Sequence, residues 1–296
     1  MMYRLLCTAL ILMVSRNLSA APIEVPINLV RDSSTYMLDL LRSVLERSEH
    51  QYKFVEISER LSKQAEREAT LNGGIGIFWG GTSEADENDF IPIRIDAYRG
   101  LMSLRFLIIR KQDQPLFSQI TGLSQLQSMR MGQGCAWQDA TILKSAGLSV
   151  ECATKKEGLF YMLEGGRFDA FPRGATEAWV EVAANRNLDL AVEENLIIRY
   201  PLPTYYFVSK KMPALAADIE RGLLEAMEDG SFDRFFYKND RVKAFLEQAQ
   251  LEHRRVIDLK NPFLSLKSQN STLESSALGV EQLIEGYARL MAGDFD

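Results

Sequence analysis

The sequence predicts an α/β protein of two lobes joined by two crossing extended segments. Strand-like and helix-like stretches alternate along the chain with little between them, which argues for mainly parallel sheets with helices on their faces. The alternation comes in two sets, and long extended runs at 101–111 and 196–211 flank the second set. The chain is therefore expected to leave a first lobe, build a second and return. With 296 residues, 46% hydrophobic and 25% charged, it can bury a core of that size.

The opening MMYRLLCTALILMVSRNLSAAP has a basic start at Arg4, an apolar run from Leu5 to Val14, and small residues at Ser19, Ala20 and Ala21. That is the plan of a secretory signal peptide, here 1–21 with cleavage near Ala20-Ala21 and export to the periplasm. The apolar run, about ten residues, is too short to span a bilayer. Cys7 has no small residue before it inside that run, so a lipid anchor is not expected. Loss of Arg4 and Arg16 moves the formal charge from −6 to −8, a poor match to nucleic acid or anionic membrane. His50 and His253 stand far apart with no metal-ligand spacing, and no nucleophile-elbow, phosphate-loop or dinucleotide motif occurs, so neither metal, cofactor nor enzyme chemistry is expected.

In order, IEVPINLV (23–30) reads as a strand, and Met37, Leu38, Leu41, Val44 and Leu45 mark the apolar face of a helix with Ser34 as its N-cap. QYKFVEI (51–57) alternates like a strand, a polar helix starts at Ser58, and GIGIFWG (74–80) is a buried strand between glycines. IPIRIDAY (91–98) and LMSLRFLIIRK (101–111) are extended. The second set runs RMGQGC (130–135) as strand and turn, a helix to Gly147, LSVECA (148–153) as strand, a helix to Gly165-Gly166, RFDAF (167–171) as strand, a helix from Ala175, and LDLAV. Pro201 and Pro203 break the run 196–211, the return crossing. Two helical stretches follow, then an extended VIDLKNPFL, a polar loop at 265–276 and a helix over Leu278–Met291. The expected division is 22–108 with 206–255 as lobe 1, 109–205 as lobe 2, and 256–296 as a tail packed on lobe 1 or partly disordered.

Gly132-Gln133-Gly134 after a strand, Gly166-Arg167-Phe168-Asp169-Ala170 after a helix, and Asp229-Gly230-Ser231-Phe232-Asp233 near the end of the second lobe-1 block appear in an order and spacing that resembles type 2 periplasmic solute-binding proteins of family 3, the amino-acid-binding branch. The resemblance extends to about residue 240. It implies the type 2 two-lobe fold, a hinge of two crossing segments, a small-molecule solute held between the lobes, and delivery to an inner-membrane ABC permease or a sensor, with a monomer expected.

The resemblance and the placement of strand ends together suggest a site. The helix start at Gly134, Cys135 and Ala136, with Trp137 beside it, would offer N–H groups to an anion; the structural alternative is a tight turn with Trp137 in the core. In the first lobe Arg31 and Asp32 follow the first strand, and Trp79 follows the third as a flat wall. Tyr98 and Arg105 lie at the first crossing and Tyr205 at the second. The family's usual arginine segment is replaced by IPIRIDAYRGLMSLRF, which leaves Arg94, Arg99 and Arg105 open, with Arg105 preferred. Arg173 stands where the amino-acid binders place an aspartate for the ligand's ammonium, which argues for an anionic or carboxylate-bearing solute; the alternative is that it pairs with Glu177 or Glu181. Cys135 and Cys152 end what should be neighbouring strands and are read as a disulfide, against the alternative of two small buried residues. Two other functions fit the same fold: a lyase or dehydratase using Asp32 or Glu177, or a protein that has lost its ligand and binds a periplasmic partner through 255–296.

Overall fold

The computed structural model describes residues 21–28, 35–269 and 278–295. The signal segment, Arg31, Asp32 and the Ser34 cap lie outside the described residues.

Strand β1 (Ile23–Ile27) pairs in parallel with β2 (Tyr52–Glu56) on either side of helix α1 (Thr35–Leu45). The predicted face of α1, Met37, Leu38, Leu41, Val44 and Leu45, is buried. Helix α2 (Lys63–Asn72) begins later than Ser58 because Ser62 caps it, accepting from the Ala65 N–H, and the Asn28 side chain bonds both backbone groups of Leu61. Strand β3 (Ile77–Gly81), helix α3 (Glu84–Asp89) and strand β4 (Ile91–Ile93) complete the first passage. The chain then turns at Asp96, whose carboxylate accepts the N–H groups of Tyr98 and Gly100 on this crossing and of Thr204 on the return. One side chain thus ties both crossings together.

The second sheet is built on β5 (Leu104–Arg110). After α4 (Gln114–Phe117) and α5 (Leu123–Leu126) come β6 (Arg130–Gly134), α6 (Gln138–Ser145), β7 (Ser149–Ala153), α7 (Lys156–Glu164), β8 (Phe171–Gly174), α8 (Ala178–Ala184), β9 (Leu190–Val192) and β10 (Leu196–Arg199). β6 and β7 are parallel, and β8, β9 and β10 each run antiparallel to β5. A parallel bridge between Met131 and Ala170 links β6 to β8. On return, β11 (Thr204–Val208) inserts antiparallel between β3 and β4. Helices α9 (Pro213–Glu228), α10 (Ser231–Lys238) and α11 (Asp240–Ala249), strand β12 (Arg255–Asp258) and helix α12 (Val280–Ala292) close the chain.

Three placements differ from the sequence reading. All of β5 belongs to the second sheet, so the chain changes sheets before Leu104, not at 108. The strand expected at 167–171 is Phe171–Gly174: Asp169 is drawn back onto Arg130, and pairing with β5 starts only at Phe171, opposite Ile108. Pro172 and Arg173 therefore lie inside a strand rather than in a turn. β12, in the expected tail, pairs in parallel with β10 of the second sheet instead of resting on lobe 1 alone.

Helix α11 docks on the second lobe. Its Phe245 packs edge-on to Phe106 of β5 and Trp179 of α8, with ring centroids 5.3 and 5.8 Å away. The Arg254 guanidinium lies over the same two rings, 5.2 and 5.7 Å from their centroids. This apolar junction joins the cores of both lobes.

Candidate functional site

The carboxyl end of β3 lies against the start of α6, the helix that follows β6: a methyl group on Gly81 would lie 3.6 Å from Gln138 Oε1. Trp79 is half-buried with its ring edge-on to Tyr206, 6.3 Å between centroids. At β6, the Cys135 N–H bonds the Ala153 carbonyl and the Trp137 N–H bonds that of Gly134. Those two donors are committed within the second lobe, so neither is free for the anion cradle expected at Gly134, Cys135 and Ala136. Gly134 instead makes room for Trp137, whose indole lies 2.4 Å from where a Cβ would stand. Cys135 and Cys152 form a disulfide with a Cα–Cα distance of 4.9 Å. Tyr205 sits in a sealed aromatic group with Phe78, Phe90 and Phe207, 1% exposed, on the opposite strand face from Tyr206. That burial removes it from the ligand-lining set.

The arginines expected to meet a ligand carry internal partners. Arg105 donates from Nε to Asp139 at 2.6 Å and stacks over Tyr200, whose hydroxyl also donates to Asp139. Burial alone would raise the Asp139 pKa, but the Arg105 charge and these donors outweigh it and hold the carboxyl below its ordinary range. Arg173 is 7% exposed, donates from Nε and Nη2 to Glu181 at 2.6 and 2.9 Å, approaches Glu177 at 3.0 Å, and lies against both the Trp137 and Phe171 rings. Lys156 adds a second cation to Glu181. Arg173 is thus the buried centre of a network within its own lobe. Arg94 pairs with Glu87 and Arg99 with Asp233.

Tyr98 does reach an open site. Its ring stacks on Tyr36 at 4.4 Å and borders a cavity of about 670 Å³ between α8 and α11. Met102, Thr176 and Glu177 also line it, and α11 contributes Arg241 and Gln248. Glu177 folds back to accept the Gly174 N–H at 2.9 Å, and its Oε2 lies 2.8 Å from where a Cβ on residue 174 would stand. Any side chain at 174 would displace it. A carboxylate therefore does face the region after this strand, supplied by Glu177 from three residues further on.

Burial pushes the Tyr98 phenol up, Arg241 draws it down and Glu177 raises it, so all three share one electrostatic neighbourhood. Arg241 carries no local motif, which is why the sequence did not single it out. A signal was present nonetheless: Val242, Phe245, Leu246 and Ala249 are the buried face of α11, leaving Arg241, Ala244 and Gln248 at helical spacing on the cavity side.

No protein-family model matches the chain, and no curated protein matches it. Solved structures do. The probable amino-acid ABC transporter extracellular-binding protein ytmK from Bacillus subtilis aligns at 15% identity over 74% of this chain and 97% of its own, with a TM-score of 0.57. An ancestral arginine-binding protein bound to arginine aligns at 16% identity over 73% and 97%, with a TM-score of 0.51. The GluR0 ligand-binding core with L-glutamate aligns at 17% identity over 74% and 97%, also at 0.51. The chain has the two-lobe α/β fold of these binding proteins.

Proposed function

We propose that this chain is an exported, monomeric solute-binding protein that captures a small carboxylate-bearing, amino-acid-like solute between its lobes and presents it to an ABC permease or a sensor. The observation that carries this reading is the cavity of about 670 Å³ beside the two crossings, with an aromatic face, Tyr98, and side chains of both charges around it. Its volume and mixed lining suit a small polar ligand. Hinge closure of two lobes fits a pocket with walls from both sides of the crossing. The commitment of Arg173 to Glu181 and Glu177 removes the argument for a purely anionic solute and leaves Glu177 able to meet a ligand's ammonium.

The test is a thermal-shift and calorimetric screen of residues 22–296 against amino acids, other carboxylates, phosphates and short peptides. A solute at 100 times its Kd should stabilise the protein by about 2.7 kcal/mol. Absence of a shift with every compound would reject the binding reading, and turnover of a shifted compound would transfer it to an enzyme.

A further inference from the structure

Arg99, on the first crossing, combines a left-handed backbone with a buried charge. Its φ is +54°, and Gly100 follows at +87°. Glycine enters that region freely, whereas a residue with a Cβ resists it. Among the described residues the other non-glycine there is Gln250, which ends α11, where a left-handed residue is an ordinary cap. Arg99 ends no helix. It is 7% exposed, its guanidinium lies 5.3 Å over the Phe232 ring and 2.8 Å from Asp233, yet Nε and Nη1 find no hydrogen-bond partner among the described residues. A residue in that state keeps its conformation only where its surroundings impose it.

Two parts of the chain do so. The C-terminal segment, beyond the stretch on which the family resemblance rests, bonds the Arg99 carbonyl through the Leu278 N–H at 2.7 Å, and Leu278 packs on the core. Helix α10 supplies Phe232 and Asp233, and α12 presses on α10 in turn: the Tyr237 hydroxyl donates to the Gln282 carbonyl, and a Cβ at Gly286 would stand 2.0 Å from the Tyr237 ring. On either side of Arg99, the N–H groups of Tyr98 and Gly100 both bond the Asp96 carboxylate, which also accepts from Thr204 on the return crossing. Rotation of Arg99 into the right-handed region would reorient one of these N–H groups against the other, so both bonds could not survive. Tyr98 precedes it directly, with its ring stacked on Tyr36 and bordering the cavity.

We infer that the C-terminal segment is a built-in effector of the first crossing: Leu278 and the α12-braced α10 hold Arg99 in its left-handed conformation, and that hold keeps Tyr98 stacked on Tyr36 at the cavity. Arg99 is thus a positioning residue. Displacing the segment lets Arg99 relax, frees the Tyr98 and Gly100 N–H groups from Asp96 and lets the ring leave its place. The consequence for affinity rests on the solute-capture reading, since a protein whose competent conformation is only partly populated binds more weakly by that fraction.

The experiment measures amide hydrogen exchange by NMR at Tyr98, Gly100 and Thr204, with Cys135, whose N–H bonds Ala153 in the second lobe, as the remote control. Arg99→Ala and Arg99→Gly both delete the guanidinium and differ in their tolerance of positive φ. Arg99→Ala should lose protection at the three crossing amides by about tenfold or more, and Arg99→Gly should stay closer to the wild type. Leu278→Pro, which removes the N–H, should resemble Arg99→Ala, while Leu278→Ala, which keeps it, should not; adding Arg99→Gly to Leu278→Pro should restore much of the protection. Wild-type protection in both Arg99→Ala and Leu278→Pro overturns the inference. Equal losses at the crossing amides and at Cys135 also overturn it, because they mean general destabilisation. With the amino acid that gives the largest thermal shift, calorimetric Kd values should weaken about tenfold in Leu278→Pro and recover in the double variant. Binding of no compound by the wild type would remove the solute-capture reading and this consequence with it, and the exchange contrasts would still decide whether the segment holds Arg99.

Discussion

Buried guanidinium groups hold the crossing region together. Arg105 and Tyr200 are buried at the junction of β5, α6 and the return crossing, with Asp139 half-buried against them. Removing one partner of such a pair leaves an uncompensated buried charge, which costs about 3–5 kcal/mol. Asp139→Ala should therefore lower stability by that order in urea titrations, while Asp258→Ala, which breaks an exposed pair with Arg199, should change it by less than about 1 kcal/mol. Equal losses would refute the distinction. The pH dependence follows from the same groups. Burial favours the protonated forms of Asp139 and Glu181, but Arg105 and Arg173 prevail and lower both pKa values. Their contribution is present above the unfolded-state values near pH 4 and is lost as pH falls through the lower folded values. Urea midpoints measured between pH 7 and pH 3 should fall at the acid end, and less steeply in Asp139→Asn. Residue identity alone could not separate these arginines from Arg241. The partners of Arg105 are distant in sequence, whereas Glu177 and Glu181 follow Arg173 closely enough to be named as its alternative.

Among elements, the β6–β7 pair combines a covalent link with ordinary parallel pairing. Its strands align Gln133 with Cys152, and the disulfide joins Cys152 to Cys135, just past the end of β6. In the chain-entropy model, closure across a sequence separation of 17 stabilises by roughly 3 kcal/mol. Both cysteines are exposed, so reductant can reach the bond. Dithiothreitol should lower the unfolding midpoint of the wild type and leave a Cys135→Ala/Cys152→Ala protein unmoved; no change in the wild type would show that the bond contributes little. Periodicity found β6, β7 and most helices because their burial patterns are local. The β8 bounds were harder to read, since Asp169 is captured by Arg130 from another strand and the FPRG segment becomes a strand only by pairing with β5. Tyr205 and Tyr206 show the same limit at single-residue scale. Alternation places them on opposite faces, but which face meets α1 is decided by the sheet as a whole.

On the scale of the whole molecule, the C-terminal segment adds a third tie to the two crossings. β12 pairs with β10 in the second sheet, Asn261 donates to the Pro201 carbonyl on the return crossing, and Ser265 and Ser268 donate to Glu87 in the first lobe. Farther on, the Leu278 N–H bonds the Arg99 carbonyl, and α12 packs against α10 and α11, with Phe295 stacked on Tyr237 at 5.2 Å. A sequence pattern could mark extended and helical pieces here but could not choose between lobes, because each contact is made by a partner far away in the chain. The arrangement restrains hinge opening, since separating the lobes must strain β12, break the bonds to Glu87, or slide α12 off α10. A chain ending at Lys260 should therefore have a larger ligand-free radius of gyration by small-angle scattering than expected for its length, and a lower melting midpoint. Because truncation also exposes Tyr237 and removes two donors from buried Glu87, a second protein, Ser265→Ala/Ser268→Ala, separates restraint from general instability. It should shift the scattering in the same direction with the rest of the tail in place. Identical ligand-free scattering profiles for this variant and the wild type would mean that the bonds to Glu87 do not limit opening.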